Sequence, residues 1–194
     1  HAVLVFPQQP ISDAQKIAFS ELFGPQEPVA SYTGTGKRRL EGMISDLSNL
    51  DEDGSIWSEA SERRLFNSAN MLWHTDSSFK KIPALCSALS ARAIPPEGGE
   101  TEFADLRAAY DALPADTRER IENLIVEHSI FRSRSLLGVT EFDPELMKQM
   151  PPVPQRLVRR HPGSGRKTLY LASHASHVIG WPVEEGRKLI GELL

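Results

Sequence analysis

The 194-residue sequence predicts a single α+β domain in which helices interrupt strands at irregular spacing. One core of this length can bury roughly 70% of the surface that its unfolded chain would expose. Hydrophobic residues make up 40% of the chain and charged residues 25%, which is typical of a globular protein. No internal repeat or regular strand and helix alternation is present, which argues against a βαβ array.

Local signals predict five helices. Ser12 and Gln15 have the spacing of a capping box, and Asp143 is a good N-cap followed by proline. Pro182 begins the last helix, which carries an apolar stripe. The predicted helical segments are residues 12–23, 105–113, 115–124, 143–148 and 182–194.

Apolar runs bounded by glycine, proline and polar residues predict the strands. The predicted strands are Ala2–Phe6, Gly42–Leu47, Leu85–Ile94, Val126–Phe131, Leu157–His161 and Lys167–Ala172. The Gly- and Ser-rich stretch Ser31–Asp53 is expected to be mostly loop around the second of these strands. The chain ends in the last helix without a stop signal, and we expect structure to be missing at both ends.

Composition excludes several classes of partner. The chain has 26 acidic and 22 basic residues, a net charge of −4, which disfavours nucleic acid. No stretch of about 18 apolar residues is present, so no membrane partner is expected. The single cysteine excludes an internal disulfide and suggests a cytoplasmic protein. The sequence leaves the oligomeric state open, and a homo-oligomer is compatible with it.

His74 and Asp76 are the most informative pair for chemistry. In an extended strand these two positions project from the same face, so an imidazole and a carboxylate can bind one metal ion. Such a pair supplies two ligands of the facial triad that holds non-haem Fe(II). Trp73 would point to the other face, into the core. A His-x-Asp sequence alone is common and is more often structural.

Four segments together are more specific: Trp73–Phe79 (WHTDSSF), Gly98–Asp105 (GGETEFAD), His161–Lys167 (HPGSGRK) and Ser173–His177 (SHASH). In order and spacing they resemble the taurine and 2,4-dichlorophenoxyacetate dioxygenase family, with the phenoxyacetate branch the nearer. The resemblance extends over nearly the whole chain. It implies a mainly β fold, a double-stranded β-helix (jelly roll) with flanking helices, here incomplete at both ends.

The resemblance also implies the site. Fe(II) would be bound by His74 and Asp76, and 2-oxoglutarate by the hydroxyl of Thr101, with no catalytic residue outside the metal centre. Asn70, His174 and His177 would contact substrate. A distal His ligand and an Arg for 2-oxoglutarate lie beyond the equivalent of Leu194, so residues 1–194 would form one dioxygenase domain truncated before them.

The expected activity is O2-dependent hydroxylation of a small anionic substrate, an aryloxyalkanoate whose ether bond is cleaved, as in aromatic catabolism. One alternative is a taurine, alkylsulfonate or sulfate-ester dioxygenase. Another is a catalytically degenerate metal-binding module. His174 and His177 leave a choice of their own: on a helical turn, residues three apart could chelate a metal, or they could have structural hydrogen-bonding roles.

Overall fold

The computed structural model describes residues 2–27, 40, 43–51, 53–58 and 61–194, the side chains of residues 62 and 63 excepted. Contacts divide the chain into two compact units. The first unit comprises His1–Arg64 and Ala84–Thr101, and the second comprises Leu65–Pro83 and Glu102–Leu194. The assignment of residues 1–194 to one dioxygenase domain stays a prediction.

The first unit contains helix α1 (Asp13–Glu21) and a small hairpin. Ser12 caps α1, accepting from the backbone N–H of Gln15, whose side chain accepts from the Ser12 N–H in return. This capping box confirms the sequence prediction. The hairpin closes through a bridge between Leu50 and Ile56.

The second unit holds the remaining elements apart from the start of helix α2, which crosses the boundary between the units. They are α2 (Glu62–Ser68), a 3-10 helix (Ala69–Met71), α3 (Leu106–Ala112), α4 (Ala115–Ile121), β1 (Ile125–His128), α5 (Ile130–Ser135), α6 (Pro144–Gln149), β2 (Val153–Arg156), β3 (Val158–Arg160), β4 (Lys167–Leu169), β5 (Ala175–Val178) and α7 (Val183–Leu193).

The strands of the second unit form two antiparallel sheets, in the order β2-β1-β5 and β3-β4. In the first sheet Val126 lies opposite Gln155 on β2 and opposite Val178 on β5. The register between β1 and β5 shifts between Glu127 and His128. This irregularity lies at the end of β1, next to the turn that contains His174.

The core of the second unit lies between the strands and helices α3, α4 and α7. Its buried members are Tyr110, Ile121, Val126, Leu157, Val158, Leu169, Leu171, Ala175, Val178, Leu189 and Ile190. Helix α7 packs closely on β5 at Gly186, where an added Cβ would lie 2.5 Å from the backbone nitrogen of Val178. The glycine therefore permits the close approach of helix and strand.

The helix predictions are confirmed with small shifts at the ends. Asp105 and Asp143 are N-caps whose side chains accept from backbone N–H groups in the first turns of α3 and α6. Pro182 is the N-cap of α7 rather than its first residue. No residue of α1 is buried.

Several strand predictions are wrong. Ala2–Phe6 and Leu85–Ile94 contain no strand, and Val5, Leu85 and Ile94 are more than four-fifths exposed. Residues 43–47 are irregular, while Gly42 lies outside the described residues, as does much of the loop predicted for Ser31–Asp53. An extended segment becomes a strand only where it forms a ladder with a neighbouring segment, and no ladder of the described residues includes these runs.

The later strands are confirmed in shortened form. β1 ends at His128, and Ile130 and Phe131, which we predicted to continue it, begin helix α5 because Ser129 caps that helix. Within the described residues more of the chain lies in helices than in strands, so the expected predominance of β structure is not observed there. The helices and antiparallel sheets agree with the α+β class. No helix in the described part of the chain has the length and apolar character to cross a membrane.

Candidate functional site

His74 and Asp76 face each other directly after the 3-10 helix. The Nε2 atom of His74 lies 3.2 Å from Oδ1 of Asp76, and the two side chains are 29% and 56% exposed. The prediction of a strand is wrong here, because Asp76 lies in a turn that begins at Thr75. The turn nevertheless brings the two groups to the same side, so the juxtaposition expected from the sequence is observed.

Hydrogen bonding fixes the orientation of the His74 ring. Its Nδ1 atom lies 2.7 Å from the carbonyl oxygen of Leu72. A carbonyl can only accept, so Nδ1 carries the donated hydrogen, and Nε2 of the neutral ring presents a lone pair. The carboxylate of Asp76 raises the pKa of His74 by hydrogen bonding, an effect that partial burial opposes.

This arrangement fits a metal ion. Two lone pairs, on Nε2 of His74 and on the Asp76 carboxylate, face each other and repel unless a cation is shared between them. A proton serves this purpose when the ring is protonated, and a divalent metal can replace it. An imidazole with its other nitrogen bonded to a carbonyl is the usual arrangement of a metal-binding histidine. The donor set suits Fe(II).

The segment carrying His74 is hydrogen-bonded to residues that lie later in the chain, across separations of 96 and 100 positions. The N–H of Ser173 donates to the carbonyl of Trp73 (3.0 Å), and the Thr75 hydroxyl donates to the carbonyl of Leu171 (3.2 Å). Trp73 itself is 56% exposed, so its predicted core position is wrong. Its backbone makes the connection to the second unit's scaffold, while its side chain extends to solvent.

His174 lies beside the pair. Its ring centroid is 6.2 Å from that of His74 and 4.8 Å from that of Phe79. The residue is only 4% exposed, and burial lowers the pKa of His174 to about 3, with Arg134 the next cause. The ring is therefore neutral at ordinary pH. Its Nδ1 atom is buried without a hydrogen-bond partner among the described residues.

His177 has different surroundings. It lies within β5, directly opposite Glu127 of β1, with Nδ1 3.6 Å from Oε1 of Glu127 and 3.1 Å from Oγ of Ser176. His174 precedes the strand, in a turn closed by a bond from Ala175 N–H to Ala172. The two histidines are thus not on one helical turn, and the structure brings only His174 close to His74.

Asn70 and Thr101 are the remaining predicted site residues. Asn70 is exposed within the 3-10 helix that leads into the His74 segment. Thr101 is exposed in irregular backbone and belongs to the first unit, whereas His74 and Asp76 belong to the second. Within the described ranges, no three His, Cys, Asp or Glu side chains form a group that could hold a metal ion.

Arg134 is a neighbour that sequence reasoning missed. It is 4% exposed, with its guanidinium carbon 4.5 Å from the centroid of Phe66, and it disfavours protonation of both His74 and His174. Nothing in the sequence distinguishes it from nearby Arg132, because only the fold makes one of them buried. The positive potential it places near the pair favours anions.

His128 was likewise missed. It is fully buried and stacks on Tyr170 with ring centroids 5.5 Å apart. Burial, and secondly the charge of Arg159, lower the pKa of His128 to about 4. Its position at the end of β1 places a second neutral histidine in the interior of this unit. A lone histidine in an apolar strand gives no sequence signal for such a role.

Comparison with known proteins identifies the class. The model of the family described as "Taurine catabolism dioxygenase TauD, TfdA family" matches residues 1–194. The chain belongs to this family of dioxygenases. The resemblance noted in the sequence is thereby confirmed, and the match covers the segments that carry His74, Asp76 and Thr101.

Individual relatives show which members of the family this chain resembles. The chain is 47% identical to the alpha-ketoglutarate-dependent 2,4-dichlorophenoxyacetate dioxygenase of Cupriavidus pinatubonensis, covering all of this chain and 68% of the relative. It is 46% identical to the enzyme of the same name from a Burkholderia species, covering all of this chain and 65% of the relative. The chain thus spans about two thirds of the length of these relatives.

A solved structure agrees with this position. The crystal structure of AAD-2 in complex with Mn(II) and N-oxalylglycine superposes with a TM-score of 0.92 at 48% identity. The match covers 99% of this chain and 67% of the other. The structural similarity therefore covers both units and is not confined to one motif.

Proposed function

We propose that this chain is the iron- and 2-oxoglutarate-binding part of a dioxygenase that hydroxylates an aryloxyalkanoate and cleaves its ether bond. The observation that carries the proposal is the His74 and Asp76 pair, with the His74 lone pair directed at a carboxylate 3.2 Å away. The names of the relatives support the substrate class. The family match also supports a jelly-roll fold for the complete domain.

His74 and Asp76 would hold Fe(II), with a further histidine and an arginine supplied by the rest of the domain. The bond from Nδ1 of His74 to Leu72 fixes the ring, and Nε2 would bind the metal in place of a proton. When bound, iron and 2-oxoglutarate supply the oxidising power for C–H hydroxylation by O2. The protein supplies ligands, orientation and exclusion of water.

Thr101 would donate its hydroxyl to the distal carboxylate of 2-oxoglutarate. A carboxylate taken out of water requires hydrogen-bond donors, and a hydroxyl is a compact one. Thr101 follows Gly98 and Gly99, whose φ angles of 72° and 78° favour glycine. These glycines set the course of the backbone that leads into Thr101.

The substrate would meet Asn70, His174 and His177. His174 is best supported, because its neutral buried ring lies 6.2 Å from the proposed metal ligand and has an unpartnered Nδ1 among the described residues. Such a ring can form one hydrogen bond with a substrate oxygen and adds no charge to the site. The nearby cation of Arg134 makes this region suitable for a carboxylate.

The metal assignment is tested in the full-length protein by measuring succinate release with Fe(II), 2-oxoglutarate and a panel of aryloxyacetates and alkylsulfonates. We expect turnover of the aryloxy acids, and loss of activity to below about 1% in His74→Ala and Asp76→Asn. His161→Ala is the matched control, since His161 is exposed in the β3–β4 turn. Turnover of taurine alone would support the alternative, a taurine, alkylsulfonate or sulfate-ester dioxygenase. No turnover with any substrate would support a metal-binding module.

The cosubstrate assignment has its own test. Thr101→Val removes the hydroxyl at nearly constant size, and loss of a hydrogen bond to a charged group costs about 1.5–3 kcal/mol. The KM for 2-oxoglutarate should therefore rise roughly 10- to 100-fold, since about 1.4 kcal/mol corresponds to a factor of ten. Thr140→Val, at an exposed position, is the control. An unchanged KM in Thr101→Val would exclude the proposed contact.

A further inference from the structure

The turn that carries Asp76 has an unusual backbone. Ser77 adopts a φ angle of 55°, in the left-handed region, and Ser78 is 1% exposed. The turn is closed by bonds from Ser78 N–H to Thr75 and from Lys80 N–H to Ser77. A non-glycine residue is held in this region only when surrounding contacts determine the backbone.

Gln155 of β2 supplies those contacts. Its Nε2 atom donates to the carbonyl oxygens of Ser78 and Lys80, both at 2.9 Å. An amide nitrogen has two hydrogens, and each is used by one carbonyl. The side chain is 6% exposed and extends from a residue paired with Val126 in the central strand. The turn is thereby tied to β2, the neighbour of the central strand of the sheet.

The opposite end of the amide is also fixed. Its Oε1 atom accepts from the guanidinium of Arg159, whose central carbon lies 3.5 Å from the centroid of the Tyr170 ring. Since carbonyl oxygens cannot donate and a guanidinium cannot accept, only one orientation of the Gln155 amide satisfies all three partners. The side chain is thus constrained at both ends.

We infer that Gln155 is a positioning residue for the metal site, which sets the place of the Asp76 carboxylate through the turn of residues 75–80. The inference rests on the proposed function. The two ligands are supported differently: Trp73 and Thr75 fix the His74 side through bonds to residues 171 and 173, while Gln155 fixes the side beyond Asp76. Removing Gln155 should therefore disturb the carboxylate ligand more than the imidazole.

Two substitutions separate the contributions of the amide. Gln155→Leu removes both donors and the acceptor. Gln155→Glu removes the donors to the two carbonyls while keeping an acceptor, and a charge partner, for Arg159. The exposed Gln149, at the end of α6, provides the matched control as Gln149→Leu. If Gln155→Leu does not fold, the glutamate variant carries the test.

The measurement is Mn(II) affinity of the full-length protein, together with the Co(II) absorption spectrum as a report on ligand geometry. Both Gln155 variants should bind Mn(II) about tenfold or more weakly than the parent, in the range found for supporting residues of metal sites, with an altered Co(II) spectrum. Gln149→Leu should match the parent. A lower Tm with unchanged Mn(II) affinity and Co(II) spectrum would show that Gln155 is merely structural and overturn the inference.

His74→Ala distinguishes failure of the proposed metal site from failure of the positioning role of Gln155. If this variant binds Mn(II) as tightly as the parent, or if the parent does not bind Mn(II), the proposed metal site fails and the role of Gln155 fails with it. If His74→Ala loses Mn(II) while the Gln155 variants retain it, only the positioning role is refuted.

Discussion

Two glycines of helix α7 offer a test of how closely the helix packs on the strand that contains His177. A Cβ at Gly186 would lie 2.5 Å from the backbone nitrogen of Val178 and 3.3 Å from its Cα. A Cβ at Gly191 would meet nothing within 4 Å. Alanine at the first position must displace backbone, whereas alanine at the second occupies open space.

The expected energies follow from two opposing effects. Alanine in place of glycine favours an α-helix by about 1 kcal/mol. Overpacking a tight contact costs about 1–3 kcal/mol. Gly191→Ala should therefore stabilise the protein by up to about 1 kcal/mol, while Gly186→Ala should be neutral to destabilising by up to about 2 kcal/mol. Because helix propensity is common to both, their difference isolates the packing cost.

Urea unfolding followed by circular dichroism measures both free energies of unfolding, and equal m-values would show that the comparison is valid. The reasoning is refuted if the two alanine variants are stabilised by the same amount. That result would mean that β5 can move away from α7 at no cost, and that the strand containing His177 is held by something other than this contact.

Three further predictions concern the pH dependence and the strained or capped positions. His128 has a pKa of about 4 against an ordinary 6.5, so the unfolded chain binds a proton more readily between these values and stability falls as pH falls through that window. We expect the free energy of unfolding to fall by about 2 kcal/mol between about pH 7.5 and 5. In urea unfolding, His128→Phe should remove this part of the pH dependence and leave a contribution of the same sign from His174. Ser77→Val should lower the free energy of unfolding by at least about 1 kcal/mol, whereas Ser77→Gly should not, and equal effects would contradict the left-handed φ. Ser12→Ala should destabilise α1 by about 1 kcal/mol, seen as faster amide exchange in its first turn, and unchanged exchange would show that the capping box is dispensable.

The elements that could be predicted from the sequence are those specified by local chemistry. Ser12, Asp105 and Asp143 mark helix starts because each side chain bonds to N–H groups two or three residues away. The strand predictions were less accurate than the helix predictions. Leu85–Ile94 has strand composition but is exposed and irregular, because pairing depends on partners far away in the sequence.

The candidate site shows the same division. The pairing of His74 with Asp76 followed from their spacing, although a turn rather than a strand produces it. The nearness of His174 to His74 was not predictable from spacing, since it depends on the contacts of residues 73 and 75 with residues 173 and 171. Gln155 gave no signal at all, because its role is to bond to backbone carbonyls whose positions only the fold determines.

The bond between Thr75 and Leu171 joins residues separated by 96 positions. Closing a chain loop of this length has a large entropic cost, which must be overcome before the contact can stabilise the fold. The segment that carries the two proposed ligands should consequently reach its native position late in folding, after the local helices and the β3–β4 hairpin have formed. Metal ions added at the start of refolding should then leave the folding rate nearly unchanged and slow only the reverse reaction.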